Sequence, residues 1–349
     1  MREIGLESRI HILIIKNLNK RACLENKKHQ GRLHNNISYF YSMQGTVTKS
    51  TGSWYWLRTK EGNLFECRIK GKFRIQGIKS TNPVAVGDYV DFEIEPNKDT
   101  GVIHTIHKRK NYIIRKSVNL SKQTHIIAAN IDLAFLLVTI DKPKTYTAFI
   151  DRFLATAEAY HIQAVLLFNK MDMYNEEEVF EVQILKDIYE KIGYTCLEIS
   201  ALDKSNLEEV KVLMKDKTSL FSGHSGVGKS TLINAIEPTL NLKTKPVSEI
   251  HKQGLHTTTF AEVFPLSFGG FIIDTPGIKG FGVVDFTKEE VGDYFPEIFA
   301  LKGNCKFNNC LHLDEPNCAI VNAVEKGAIS ESRYYNYLQL LDDEKSPYR

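Results

Sequence analysis

The segment suited to reading a guanine base, Asn169-Lys170-Met171-Asp172, lies upstream of the segment suited to holding its phosphates, Gly223 to Ser230. In the usual order of such a fold the phosphate loop comes first. The loop Gly223-His224-Ser225-Gly226-Val227-Gly228-Lys229-Ser230 satisfies G-x-x-x-x-G-K-[ST] in full. A buried-strand pattern, 219–222, precedes it, and the helical pattern Thr231-Leu232-Ile233-Asn234-Ala235-Ile236 follows. The reversed order constrains the fold strongly. It requires a permuted α/β sheet, and it makes the chain leave the nucleotide domain directly after the phosphate-sensing motifs, into a separate C-terminal region.

Each motif has a chemical reason. Glycines let backbone N–H groups face phosphate oxygens, and the helix N-terminus adds its dipole. Phosphate contacts are predicted over Gly223, Ser225, Gly226, Val227, Gly228, Lys229, Ser230 and Thr231. Lys229 would span the β- and γ-phosphates, and the Ser230 hydroxyl would ligate Mg²⁺. Asp274-Thr275-Pro276-Gly277 closes the strand pattern 271–273. Asp274 would hold a Mg²⁺-bound water, and the Gly277 N–H would sense the γ-phosphate.

At the base, the Asp172 carboxylate can accept from the ring N–H and the exocyclic amine of guanine. Adenine offers neither donor there and would leave a carboxylate unpaired, so GTP is favoured steeply over ATP. Asn169 belongs to the same motif, Lys170 would lie along the base plane, and Ser200-Ala201-Leu202 would meet the guanine carbonyl with a backbone N–H.

Between the phosphate loop and Asp274 lies His251-Lys252-Gln253-Gly254-Leu255-His256-Thr257-Thr258-Thr259, where a first switch is expected to bring a threonine hydroxyl to Mg²⁺. Thr258 is chosen for that role, with Thr257 next to it as the other candidate. Ile278 follows Gly277 and cannot orient water. His256 is the candidate to position or polarise it; the alternative is a histidine that only packs or bonds the switch backbone. The predicted catalytic set is therefore His256, Thr258 and Lys229.

A second chemistry sits near the C-terminus. Cys305, Cys310, His312 and Cys318 supply three thiolates and one imidazole, a complete tetrahedral set for a structural Zn²⁺ with no open position for catalysis. The flanking Gly303, Asn304, Asn308 and Asn309 favour tight turns. The remaining cysteines, Cys23, Cys67 and Cys196, are scattered, a distribution that fits a reducing cytoplasm.

The 349 residues are organised in four stretches. Residues 1–42 lack periodicity and read as a flexible extension, or as a segment upstream of a true start at Met43. Residues 43–112 alternate in short strands (45–48, 54–57, 64–69, 89–94) separated by turns at 61–63 and 86–88, as expected of an all-β barrel of the OB type. Residues 113–284 alternate strand and helix. The strand patterns are 131–140, 164–168, 196–199, 219–222 and 271–273, with helical faces at Ile150, Phe153, Leu154, Ala157 and at Val179, Val182, Leu185, Ile188, Ile192. The expected result is a mainly parallel sheet. Residues 285–349 form a small α-helical zinc-binding region with helical spacing at Tyr334, Tyr337, Leu338 and Leu341.

The formal net charge is only +3, yet 43–116 is locally basic, with Lys49, Arg58, Lys60, Arg68, Arg109 and Lys110 among its cations. That imbalance suits a polyanion such as RNA, or equally a solvated basic face. Trp54, Tyr55 and Trp56 could stack bases, although alternation places at least one of them in the core. No apolar run is long enough to span a bilayer, and 10–15 lacks the features of a secretory signal.

With these pieces in order, the chain resembles the RsgA (YjeQ) family of circularly permuted GTPases. The resemblance covers residues 43 to about 343 and rests on the barrel, Asn169–Asp172, Gly223–Ser230, His256–Thr259, Asp274–Gly277, the cysteine cluster, 323–327 and Arg333-Tyr334. Leu255 departs from the arginine that the family usually places before the histidine. The resemblance implies a cytoplasmic, monomeric factor that acts late in assembly of the small ribosomal subunit. It would bind the subunit and its rRNA in the GTP state, hydrolyse GTP to GDP and phosphate when the subunit stimulates it, and then leave. The alternative is a nucleotide-gated RNA-binding checkpoint module with negligible catalysis. A phosphate-loop kinase would leave the guanine motif and the switch threonines without purpose.

Overall fold

The computed structural model describes residues 42–69, 83–96, 98–116, 124–242, 261–274 and 287–342. These fall into two compact units, one ending at Arg109 and one beginning at Lys110.

The first unit is a ring of five strands: β1 (Met43–Ser50), β2 (Tyr55–Arg58), β3 (Leu64–Ile69), β4 (Tyr89–Ile94) and β5 (Thr100–Ile106). Antiparallel pairing joins β1 to β2, β2 to β3, β4 to β5 and β1 to β4, and β3 runs parallel to β5, so every strand has two neighbours. Alternation decides what points inward: Phe65 and Cys67 from β3, Val90 and Phe92 from β4. Tyr55 and Leu57 turn into this core. Tyr55, not either tryptophan, is the buried member of the aromatic triplet, and its hydroxyl reaches the Gly52 carbonyl. Trp54 lies just before β2 and is exposed, while Lys49 Nζ sits 5.8 Å from the Trp56 ring. One basic residue of this region is internal. Arg109 clasps the fully buried Asp88 with bonds of 2.6 and 2.7 Å and is not part of a basic surface.

The second unit opens with a hairpin, β6 (Tyr112–Lys116) and β7 (Thr124–Ala129). Its sheet contains β8 (Leu133–Val138), β9 (Gln163–Phe168), β10 (Thr195–Glu198), β11 (Thr218–Ser222), β12 (Glu262–Pro265) and β13 (Phe271–Asp274). The order β10-β9-β8-β11-β13 is parallel throughout, and β12 runs antiparallel to β13. β8 and β9 read as unbroken apolar runs because both of their faces are covered.

Helices α1 (Thr147–Ala159), α2 (Glu176–Ile192) and α3 (Leu207–Met214) connect the strands from β8 to β11, and α4 (Lys229–Ile236) leaves β11. Leu207, Val210 and Met214 of α3 pack with Leu232, Ile233 and Ile236 of α4 against Leu133, Phe135 and Leu137. Ile150, Phe153, Leu154 and Ala157 of α1 are buried as their spacing predicts. α2 starts at a capping box, Asn175 with Glu178, and stops at Gly193 in the left-handed region. A cap of this kind stabilises a helix by about 1 kcal/mol. In α2 the core positions are Val182, Leu185 and Tyr189, whereas Val179, Ile188 and Ile192 are only half-buried.

The C-terminal residues form α5 (Lys288–Val291), α6 (Pro296–Lys302), α7 (Ala319–Glu325) and α8 (Glu331–Asp342). Val291, Phe295, Ile298, Ile320, Tyr337 and Leu341 make a core shared with Ala155 of α1. No described helix is long and apolar enough to cross a membrane.

The hairpin and β12 carry no periodic signal strong enough to be anticipated. β12 is four residues ending at a proline, and the hairpin joins the body through Asn111, whose side chain exchanges two 2.8 Å bonds with the Ile131 backbone.

Candidate functional site

β9, β10, β11 and β13 are parallel, so their C-terminal ends share one edge of the sheet. Each is followed by one of the motifs: Asn169–Asp172, Ser200–Leu202, Gly223–Ser230, and Asp274, which is the last residue of β13. Ligands of open α/β sheets bind at this edge.

Asn169 is the hub of the site. Its buried side chain donates from Nδ2 to the Val227 carbonyl at 2.8 Å, and its Oδ1 accepts from the Ala201 N–H at 3.0 Å. One amide therefore ties the base motif, the phosphate loop and the loop after β10. The sequence motif places Asn169 in the base-reading group without this bracing role. The close approach explains Gly228: a Cβ there would lie 2.5 Å from Asn169 Nδ2, and its φ of +100° is one that side chains rarely adopt. Gly223, at φ +142°, is equally constrained, because a Cβ would meet the Leu137 carbonyl at 2.9 Å. Tyr174 adds a further tie, accepting from the Ile140 N–H and donating to the Asn169 carbonyl. Nothing in the sequence pattern marks that tyrosine.

Asp172 sits in a 3-10 turn, Met171–Met173, and accepts a 2.5 Å bond from Ser200 Oγ. Ser200 is fully buried and receives the Leu202 and Asp203 N–H groups, so its own proton is left to aim at Asp172. The serine thus orients the base-reading carboxylate through its side chain. Lys170 holds a left-handed backbone, φ 72°, and its ammonium donates to the Lys142 carbonyl. Burial pulls its pKa down, with Asp141 and Asp172 opposing.

Lys229 opens α4 and folds back over its own loop, donating to the Gly223 carbonyl and, at 2.9 Å, to the His224 carbonyl. Ser230 and Thr231 follow in the first turn of α4, and Ser225 is exposed. The His224 ring packs at a tilt against Phe149 of α1; burial, and then Lys229, hold its pKa below the ordinary histidine value. His256, Thr257, Thr258 and Gly277 lie outside the described residues.

The second cluster is assembled as its spacing predicts. The donor atoms of Cys305, Cys310, His312 and Cys318 all lie within 4.8 Å of one another. Cys310 and Cys318 sulfurs are 3.7 Å apart, Cys305 and Cys318 4.0 Å, and His312 Nδ1 lies 3.6 and 3.4 Å from Cys305 and Cys318. Those separations match the edges of a tetrahedron around zinc, about 3.8 Å between sulfurs and about 3.6 Å from sulfur to nitrogen. Glu315 shapes the knuckle by accepting the Leu311 and Leu313 N–H groups, both at 2.7 Å. From α8, Tyr334 and Tyr337 donate to the His312 and Leu311 carbonyls. Among the described residues this is a cluster able to hold a metal ion.

Comparison with known proteins gives a consistent picture. A family model described as RsgA GTPase matches residues 106–284, and one described as RsgA N-terminal domain matches 44–103. A Christiangramia forsetii protein named small ribosomal subunit biogenesis GTPase RsgA is 63% identical over 309 residues, 88% of this chain and 98% of the relative. A Phocaeicola vulgatus protein of the same name is 56% identical over 88% of this chain and 99% of its own length. The fold is similar to the crystal structure of YjeQ from Thermotoga maritima, with a TM-score of 0.71, 36% identity and coverage of 86% of this chain and 98% of that one. It is also similar to YloQ, described as a circularly permuted GTPase, with a TM-score of 0.69, 31% identity and coverage of 91% and 100%.

Proposed function

Since the chain belongs to the RsgA GTPase family, we propose that it is a GTPase of late small-ribosomal-subunit maturation, binding the subunit as the GTP form, hydrolysing GTP to GDP and phosphate, and then dissociating. The observation that carries the reading is the Asn169 hub, which braces the phosphate loop against the guanine motif. Asp172, aimed by Ser200, selects guanine, and Lys170 covers the base. The loop N–H groups from Gly223 to Ser230, with Thr231, receive the phosphates. Lys229 exchanges its two carbonyl partners for β- and γ-phosphate oxygens.

A Mg²⁺ ion would be held by Ser230, by Thr258, and through water by Asp274, where it would neutralise charge on the phosphates. The Gly277 N–H senses the γ-phosphate, and His256 positions the attacking water.

Four protein ligands with tetrahedral spacing fit a structural Zn²⁺ at Cys305, Cys310, His312 and Cys318. The five-stranded ring, with its β3–β5 parallel closure, supports an OB-type barrel over 43–112. That barrel, carrying Lys49 over Trp56 and the exposed Trp54 and Tyr89, is the rRNA-binding domain. Residues 113–284 are the GTPase domain and 285–349 the zinc-binding domain. The protein acts as a cytoplasmic monomer.

Turnover of GTP with and without purified small subunits tests this reading. The sequence motifs assign no arginine finger in cis, so subunits are expected to accelerate hydrolysis by about tenfold or more. Equal rates would contradict it.

A further inference from the structure

Helix α1 touches both the phosphate loop and the C-terminal helices. In its first turn Phe149 packs its ring, tilted by 32°, against His224 of the phosphate loop, with ring centroids 3.9 Å apart. Two residues further on, Asp151 is fully buried and takes three donors: Arg333 Nη1 at 2.7 Å, Asn336 Nδ2 at 2.6 Å and Tyr189 Oη at 2.8 Å.

Arg333 and Asn336 belong to α8, the helix whose tyrosines grip the cysteine knuckle. Arg333 also forks onto Glu297 of α6, at 2.7 and 3.1 Å, and lies 4.5 Å from the Phe295 ring. Burial works against its charge, but Asp151 and Glu297 outweigh burial and hold the guanidinium protonated. A buried carboxylate satisfied by three fixed donors resists sliding, because any lost partner leaves a desolvated charge. One side of α1 is therefore fastened to the C-terminal helices while Phe149, on its first turn, bears on the loop that must hold phosphates.

The peptide carrying His224 is the one that matters for that loop. Its carbonyl, with that of Gly223, is where Lys229 now rests. A phosphate loop works when its N–H groups are aimed before the ligand arrives, so a ring that limits the movement of this peptide favours binding.

We propose that Phe149 is a positioning residue for the phosphate loop, acting through His224, and that the C-terminal helices set its place through the Asp151–Arg333–Asn336 cluster. The proposal rests on the GTPase reading. It implies reciprocity: an intact cluster tightens nucleotide binding, and bound nucleotide stabilises the cluster.

The test compares the wild type, Phe149→Ala, Asn336→Ala and the double variant as full chains. It measures GDP dissociation constants, kcat and KM for GTP, and an unfolding curve for each. Each single variant is expected to weaken GDP binding about fivefold to tenfold and to raise KM with kcat nearly unchanged. Preference for GTP over ATP stays as in the wild type. The double variant should be no weaker than about the worse single one, because both remove the same link. Phe149→Tyr, which keeps the ring, should restore wild-type affinity. A purely structural defect would lower the midpoint of unfolding and the active fraction without changing the affinity of the active molecules.

Wild-type affinity in folded Phe149→Ala overturns the positioning role. Wild-type affinity in Asn336→Ala, or a double variant showing the product of the two single effects, overturns the link to the C-terminal helices. Should Phe149→Ala fail to fold, Phe149→Leu and His224→Ala give the same comparison. A wild type that neither binds nor turns over GTP would sink the GTPase reading itself; a normal wild type with indifferent variants sinks only this proposal.

Discussion

Cys310→Ser is expected to strip zinc from the protein and to loosen residues 296–342 while leaving the parallel sheet folded. The shape of the cysteine knuckle depends on four donor atoms converging. A structural zinc of this kind contributes on the order of 10 kcal/mol to folding, more than any single hydrogen bond in the region. α8 would feel the loss directly, since Tyr334 and Tyr337 donate to the His312 and Leu311 carbonyls. β8 and β9 should stay folded, because one of their faces packs on α3 and α4 and their pairing lies within the sheet. Metal content after dialysis, with amide exchange of α6 to α8, checks the expectation. Retained zinc, or unchanged exchange after its loss, would contradict it.

Lys229→Ala is the second large effect: GTP turnover should fall by about 10²–10³, or on the order of 3–4 kcal/mol, as when one preorganised donor is removed from developing charge. The loop itself should survive. Its form is held by Asn169 at Val227 and by the two glycines that pack against Asn169 and Leu137, whereas the lysine ammonium bonds to the loop's own Gly223 and His224 carbonyls. Single-turnover hydrolysis with an unfolding curve separates the two. Near-wild-type turnover would remove Lys229 from the chemistry, and a large loss of stability would make it a structural residue.

What could be read in the sequence follows from the kind of physics involved. The phosphate loop, the guanine motif and the cysteine spacing are local, and local geometry demands particular residues at fixed offsets. β8 and β9 were legible as continuous apolar runs, and α1 by its 3.6-residue period. The ties between segments were not legible. Asn169 reaching Val227, Ser200 aiming at Asp172, and Arg333 meeting Asp151 join residues that only the fold brings together. Arg333 shows the difficulty plainly. In sequence it is a polar residue on a helix, and nothing in its neighbours says that it is buried at 1% exposure with two carboxylates. The aromatic triplet divides the same way: alternation predicts that one ring is internal, and the register of β2 selects Tyr55. Thr258 and His256 lie outside the described residues, so their roles rest on spacing and chemistry.

The permuted motif order puts the C-terminal helices after the strand that ends at Asp274. The chain passes from Asp274 toward α5 to α8, and those helices return to α1 through Asp151. A nucleotide site joined to a C-terminal module in this manner is suited to gating a large partner. Sedimentation with ribosomal subunits, comparing a non-hydrolysable GTP analogue with GDP, tests that claim most directly. The account predicts that the protein travels with small subunits in the presence of the analogue, is released with GDP, and does not follow large subunits. Equal sedimentation in both nucleotide states, or none in either, would contradict it.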